Sequence, residues 1–223
     1  MLPIEKKIRS DKMASAVIHL CIANEVNKYL KWDNNLLLLG SIAPDISKHI
    51  GQPKEISHFL DHTNEDDIPN LQRFLNKYKD ELNNPFNLGY FIHLLTDKYW
   101  FRDYVYKYIE RYAQDNNKKD LTYTGLRDII YNDYTNINIS LIDKYQLPLD
   151  LFYNEVPIPD TKITEIPIED INLIVEKMGQ IIMDSKEEKT FVFDVDDIIL
   201  FIENTVKYII KDLQMLGIQP AGY

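Results

Sequence analysis

The clearest chemical signal in the chain is a histidine and an aspartate four residues apart, His93 and Asp97, inside a strongly apolar stretch. In a helix this spacing places both side chains on one face, one turn apart, where they can bind the same metal ion. An unpaired carboxylate is costly to bury in such surroundings, and a cation removes that cost. A hydrogen-bonded His–Asp pair filling the core is the other interpretation, and the two residues alone do not decide between them.

Three further side chains are candidate metal ligands. His19 lies on the apolar face of the first predicted helix, where a lone histidine is more often a satisfied core residue. Asp45 follows a proline after an apolar run and also suits a turn or helix cap. His58 is flanked by apolar residues in a polar segment, where a surface histidine is equally ordinary. Together with His93 and Asp97 they predict a site for one or two Zn²⁺ ions, with iron, manganese or nickel as less favoured divalent metals.

Apolar residues recur at helical spacing and the chain has only seven glycines, so we predict an all-α fold. Residues 85–112 are apolar on nearly every side, which is typical of a helix at the centre of a bundle. Pro44 predicts that the apolar run 36–42 leaves the helical conformation before Ala43. The other expected elements are helices over 11–31 and 69–82, a loop over 46–65, two shorter helices within 121–145, a proline-rich connector over 147–167, and two amphipathic helices after it.

The 223 residues, 45% of them hydrophobic, predict one all-helical domain over 1–223. Residues 1–112 would hold the metal-binding core helices, and 113–223 are less recognisable. A net charge of -10 disfavours nucleic-acid partners. No apolar run reaches about 18 residues, so no stable membrane insertion is expected. The single cysteine, Cys21, excludes an internal disulfide and favours a reducing, cytoplasmic location.

Four segments resemble the zinc-dependent phospholipase C family of bacteria, as a divergent member of intracellular type: residues 13–23, 40–45, 57–59 and 89–97. The resemblance implies a multi-helix bundle similar to the zinc-dependent phospholipase C / P1 nuclease fold. It also implies that Asp45, His58, His93 and Asp97 bind one metal ion. His19 would help to bind a second ion, with Asp97 bridging the two.

The chain departs from the family's secreted enzymes in two ways. Those enzymes begin with a tryptophan that binds metal, whereas twelve residues precede the first motif here. They also use histidines and a glutamate after the His–Asp helix, and no histidine follows His93. Asp103 and Asp133 are the acidic residues considered for that role, although surface or capping carboxylates are the favoured interpretation of both.

The leading functional hypothesis is metal-dependent hydrolysis of a phosphate ester, with a small phosphate ester or a phospholipid as substrate. The metal ion would activate water and polarise the phosphoryl oxygen, and Asp45 would serve as ligand and proton acceptor. The alternative is a metal-stabilised binding protein without catalysis. An HD-type phosphohydrolase ranks lower, because its adjacent His–Asp pair occurs here only in reversed order, as Asp61 and His62. Oligomeric state is left open.

Overall fold

The structure, a computed structural model, describes residues 15–61, 68–118 and 121–221. Every regular element in these ranges is helical, so the all-α prediction is confirmed. No helix within the described ranges combines the length and the apolar character that crossing a bilayer requires. The main α-helices are α1 (Ala16–Leu30), α2 (Asn34–Ile42), α3 (Ser47–Ile50), α4 (Lys54–Ser57), α5 (Leu71–Tyr78), α6 (Pro85–Tyr99), α7 (Val105–Asp115), α8 (Tyr123–Tyr145), α9 (Ile171–Met183) and α10 (Val195–Met215).

Helix α6 lies at the centre, as its apolar pattern predicts. All of its residues are buried except Pro85 and Lys98. Its start is fixed by Asn84, whose side-chain oxygen accepts hydrogen bonds from two backbone N–H groups of the first turn. Pro85 occupies the first helical position, where its missing N–H has no cost. The helix then passes through a π-helical turn, Trp100–Tyr104, into α7.

Helices α2 and α6 touch backbone to backbone, and two glycines make this possible. A Cβ atom on Gly40 would lie 2.0 Å from the Phe86 carbonyl oxygen, and one on Gly89 would lie 2.1 Å from the Leu37 carbonyl oxygen. Helix α1 packs against both helices and also against α8 and α10. Helices α1 and α6, which carry His19, His93 and Asp97, are therefore in direct contact with each other.

Two sequence predictions about this half of the chain are wrong. Ala43 keeps right-handed helical angles, φ -57° and ψ -39°, although Pro44 follows it. The chain continues into a 3₁₀ helix, Ala43–Ile46, in which the proline takes one of the first positions and needs no N–H. The segment 46–65, predicted as a loop, contains the helices α3 and α4. Each of these helices has only four residues, which is too few for a helical periodicity to be visible in the sequence. Residues 62–67 lie outside the described ranges.

The prediction of two shorter helices within 121–145 is also wrong, because α8 runs without a break from Tyr123 to Tyr145. Two of its buried asparagines bond to the segment that follows α9. Asn136 donates to the Lys189 carbonyl, and Asn138 donates to the Ser185 hydroxyl. Long-range partners of this kind cannot be read from local sequence.

Candidate metal centre

The structure brings all five predicted ligand residues together at one point in the core. His19 comes from the first turn of α1, and Asp45 comes from the 3₁₀ helix after α2. His58 follows α4 directly, while His93 and Asp97 lie one turn apart on α6. None of the five is more than 1% exposed.

Asp45, His58 and His93 present three donor atoms that lie close enough to share one ion, and Asp97 Oδ2 lies beside the two histidines. His58 Nε2 lies 3.3 Å from Asp45 Oδ1 and 3.1 Å from His93 Nε2. Asp97 Oδ2 is 3.8 Å from each of these two nitrogens, and Asp45 Oδ1 is 3.8 Å from His93 Nε2. A tetrahedral zinc ion with its usual bond lengths has ligand atoms roughly 3.3–3.4 Å apart. Asp45, His58 and His93 therefore suit three positions of a zinc ion, and Asp97 Oδ2 could supply the fourth after an adjustment. These four atoms are here called the four-donor set.

The groups behind the two histidines orient their rings for this role. His93 Nδ1 lies 2.8 Å from the Ser41 carbonyl oxygen, which can only accept, so Nδ1 carries the proton and Nε2 presents its lone pair. His58 Nδ1 lies 2.9 Å from the Ser57 hydroxyl. The Tyr90 hydroxyl donates a short hydrogen bond to the Ser57 carbonyl and ties this turn to α6.

His19 and the second oxygen of Asp97 form another, less complete group, here called the second set. His19 Nε2 lies 3.4 Å from Asp97 Oδ1, and its ring stacks on His93 with 3.8 Å between centroids. Within the described residues, neither His19 nitrogen nor either Asp97 oxygen has a hydrogen bond of acceptable geometry. Buried polar atoms nearly always have partners, and a cation between His19 and Asp97 would supply one to these atoms. Asp97 presents one oxygen to each set, as a bridging carboxylate would.

The surroundings favour ionised carboxylates and neutral imidazoles. Burial alone would raise the pKa of Asp97, but Lys54 and the nearby histidines together hold it well below its ordinary value. Burial likewise opposes ionisation of Asp45, and the charge of Lys48 with the hydrogen bond from His58 outweighs it.

For the histidines, burial works in the opposite direction. It lowers the pKa of His93 to about 3, and the neighbouring His19 adds to that effect. It also lowers the pKa of His58, although the hydrogen bond to Asp45 opposes the shift. Neutral imidazole beside ionised carboxylate is the protonation state that a divalent metal requires of its ligands.

The other acidic candidates do not join the site. Asp103 bonds to Arg102. Asp133 is fully buried rather than on the surface, and its carboxylate accepts the backbone N–H groups of residues 191–193 ahead of α10. It is therefore neither a surface carboxylate nor a helix cap, since Asp194 is the N-cap of α10, and it ties α8 to the segment ahead of α10. Asp61 bonds to Arg73, and His62 lies outside the described residues.

Sequence reasoning missed one charged neighbour of the site, Lys54. Its side chain is buried, and its Nζ atom lies 4.0 Å from Asp97 Oδ2. The available signal was its spacing, because it precedes His58 by four residues and so shares one helical turn with it. A lysine in a polar segment is ordinarily solvated, so that spacing alone gave no reason to select it.

No family model, curated protein or solved structure is significantly similar to this chain. The family resemblance therefore rests on the four motifs alone, and the functional argument rests on the geometry of the metal centre.

Proposed function

We propose that this protein is a metal-dependent hydrolase of phosphate esters that binds two divalent ions, zinc being the best match. One observation carries the proposal: Asp97 presents one oxygen to the four-donor set and the other oxygen to His19. The second set supplies His19 Nε2 and Asp97 Oδ1 at 3.4 Å, and His93 lies close enough to be a third donor. An ion held there would keep coordination positions for water and substrate, which distinguishes catalytic from structural sites.

The metal would supply an activated water and polarise the phosphoryl oxygen. The chain's own groups would bind and orient. His58 and His93 have their rings fixed by hydrogen bonds behind them, so their lone pairs point inward without reorganisation. Asp45 is proposed as ligand through Oδ1 and as proton acceptor, and its lowered pKa supports the first role more strongly than the second.

Charge supports an anionic substrate. Asp45 and Asp97 contribute two negative charges to the core, and Lys54 contributes one positive charge. One divalent ion would make this group net positive, and two would make it strongly so. Phosphate esters, including phospholipid headgroups, carry the complementary charge. The order of the ligands along the chain supports a phospholipase C / P1 nuclease type of bundle, and the buried thiol of Cys21 suits a cytoplasmic location.

The second candidate function is metal-stabilised binding without catalysis, and burial favours it. All five ligand residues are at most 1% exposed. A four-donor set that closes around one ion leaves no position for substrate. In that case the ion would replace hydrophobic packing at the junction of α1, α2 and α6.

An assay panel separates the two. Purified protein is analysed for metal and tested on activated phosphodiesters, phosphomonoesters and phospholipids, alongside Asp45→Asn and, as matched control, Asp103→Asn. Hydrolysis that is lost with chelator and in Asp45→Asn but kept in Asp103→Asn supports the enzyme. Metal-loaded wild type without turnover on any substrate refutes the hydrolase and leaves the binding protein.

A further inference from the structure

A pocket of about 600 Å³ lies between the π-helical turn that follows α6 and the C-terminal half of α10. Its wall includes Tyr99, which follows Asp97 by two residues and is therefore about 200° around the helix from it. The pocket is thus on the other side of α6 from the metal centre. Its volume is in the range of small-molecule sites, and π-helical turns are frequent at functional sites.

The wall of this pocket is positively charged, although the chain as a whole carries a net charge of -10. Its charged residues are Arg102, Lys107, Lys211, Asp103 and Asp212. Both acidic residues have a cationic partner. Arg102 donates to Asp103 through Nε at 2.9 Å and through Nη2 at 2.6 Å, and Lys98 Nζ lies 3.8 Å from Asp212 Oδ2. Lys107 and Lys211 are therefore two positive charges in excess.

Tyrosine rings hold two of these cations in place. The guanidinium carbon of Arg102 lies 5.0 Å from the centroid of the Tyr99 ring. Lys107 Nζ lies 5.6 Å from the centroid of the Tyr104 ring, and the Asn204 side chain donates to the hydroxyl of this tyrosine at 3.2 Å. Because cation–π contacts already restrict these side chains, binding an anion costs them less conformational freedom.

The rim of the pocket adds aromatic and apolar surface. On α10, Tyr208 is 44% exposed and Met215 is 70% exposed. The Tyr208 ring centroid lies 5.3 Å from that of Tyr99, whose hydroxyl donates to Asp212 at 2.7 Å. The tyrosine ring is thus supported from behind while part of it stays open to a ligand. Aromatic rings and thioethers both make favourable contacts with another aromatic ring.

We propose that this pocket binds a small aromatic phosphate monoester, with Lys107 and Lys211 contacting the phosphate and the Tyr208 ring stacking on the aromatic ring. A phosphate monoester is a dianion at neutral pH, so it matches the two excess positive charges. Arg102 Nη1, which takes no part in the bonds to Asp103, is a further donor. The site is separate from the metal centre, so this inference goes beyond the proposed function and does not depend on it.

The experiment measures binding of phenylphosphonate to full-length protein by calorimetry. This probe keeps the ring and the dianion, and its C–P bond is not a phosphate ester, so a phosphoesterase does not consume it. Methylphosphonate lacks the ring and benzyl alcohol lacks the charge. We expect phenylphosphonate to bind more tightly than either of them. One phenylphosphonate site should remain in Asp45→Asn, which impairs the metal centre and leaves the pocket intact.

Wild type is then compared with three variants. The double variant Lys107→Gln/Lys211→Gln should weaken phenylphosphonate binding roughly 5- to 30-fold, as loss of two solvent-exposed charge contacts would. Tyr208→Ala should weaken it roughly 3- to 10-fold and leave methylphosphonate binding unchanged, because only the ring contact is removed. The control Lys162→Gln, which removes a charge from an exposed ion pair with Glu81, should match wild type.

Several results would overturn the inference. They are the absence of measurable phenylphosphonate binding, an affinity that both pocket variants leave unchanged, and binding that disappears in Asp45→Asn, which would assign the anion to the metal centre. Equal loss of both phosphonates in Tyr208→Ala would refute the aromatic ligand. If the double variant does not fold, Lys211→Gln alone must show weaker binding. Metal content and any hydrolysis should stay at the wild-type level in the pocket variants, and a loss of metal there would also overturn the separation of the two sites.

Discussion

Replacing His93 with asparagine should abolish metal binding while keeping the fold. His93 uses Nδ1 to donate to the Ser41 carbonyl and directs Nε2 at the four-donor set. An asparagine amide can occupy the position of Nδ1 and keep that donor, but it offers nothing in place of Nε2. His93→Ala removes both and leaves a cavity, because the ring is fully buried.

The size of the effect follows from binding linkage. Zinc at 100 to 1,000 times its dissociation constant stabilises the wild type by about 2.7–4.1 kcal/mol. For a chain of this length each kcal/mol raises Tm by about 2–4 °C, so the expected increase is about 5–16 °C. His93→Asn should show almost none of it. His93→Ala should in addition lose about 3–5 kcal/mol in the metal-free state, from the cavity and the lost hydrogen bond.

The assay is thermal unfolding followed by circular dichroism, on metal-free and zinc-loaded samples of wild type and both variants, with elemental analysis of each. A folded His93→Asn protein that keeps stoichiometric metal would show that His93 is only a core residue. A wild type whose Tm does not respond to zinc would refute the metal centre as a whole.

Four other outcomes are expected. In metal-free protein, the free energy of unfolding should fall as pH decreases from about 6.5 towards 3. The pKa of His93 is about 3 in the folded protein and near 6.5 in the unfolded chain, so the unfolded chain binds the proton first. In urea titrations, the free energy of unfolding of His93→Asn should depend less on pH over that range. Burial raises the pKa of the Cys21 thiol, so a thiol reagent should modify it quickly only in denaturant. Asp133→Ala should cost about 2–3 kcal/mol or more in urea unfolding, because buried N–H groups lose their acceptor, and it should leave metal content unchanged. Gly89→Ala should lower the free energy of unfolding by about 3 kcal/mol or more and reduce metal content, because the alanine Cβ would meet the Leu37 carbonyl. A Gly89→Ala protein as stable as wild type would refute the close contact of α2 and α6.

The sequence predicts what periodicity and residue chemistry control. The central position of α6 follows from its all-round apolar pattern, and the selection of His93 and Asp97 follows from their spacing. The same reasoning failed where a long-range contact decides the conformation. The Asn136 side chain of α8 donates to the Lys189 carbonyl, 53 positions away, and such a partner cannot be found by local periodicity.

The site itself shows the same division. Ligand residue types are visible in sequence because few functions besides metal binding need buried carboxylates near several histidines. The hydrogen-bond partners of these ligands are not visible in the sequence. The Ser41 carbonyl that sets the tautomer of His93 is a backbone group, which any residue type could provide. Lys54 was missed because its burial depends on how α4 docks on α6.

The complete burial of the ligands has a kinetic consequence. Since none is more than 1% exposed, an ion can enter or leave the core only during transient openings of the surrounding helices. Exchange should therefore be gated by the protein, each 1.4 kcal/mol of opening free energy slowing it about tenfold. An ion captured while the chain folds would stay through many encounters with a chelator in solution. The metal that occupies the centre would then be decided by what the cell offers during synthesis rather than by equilibrium affinity afterwards.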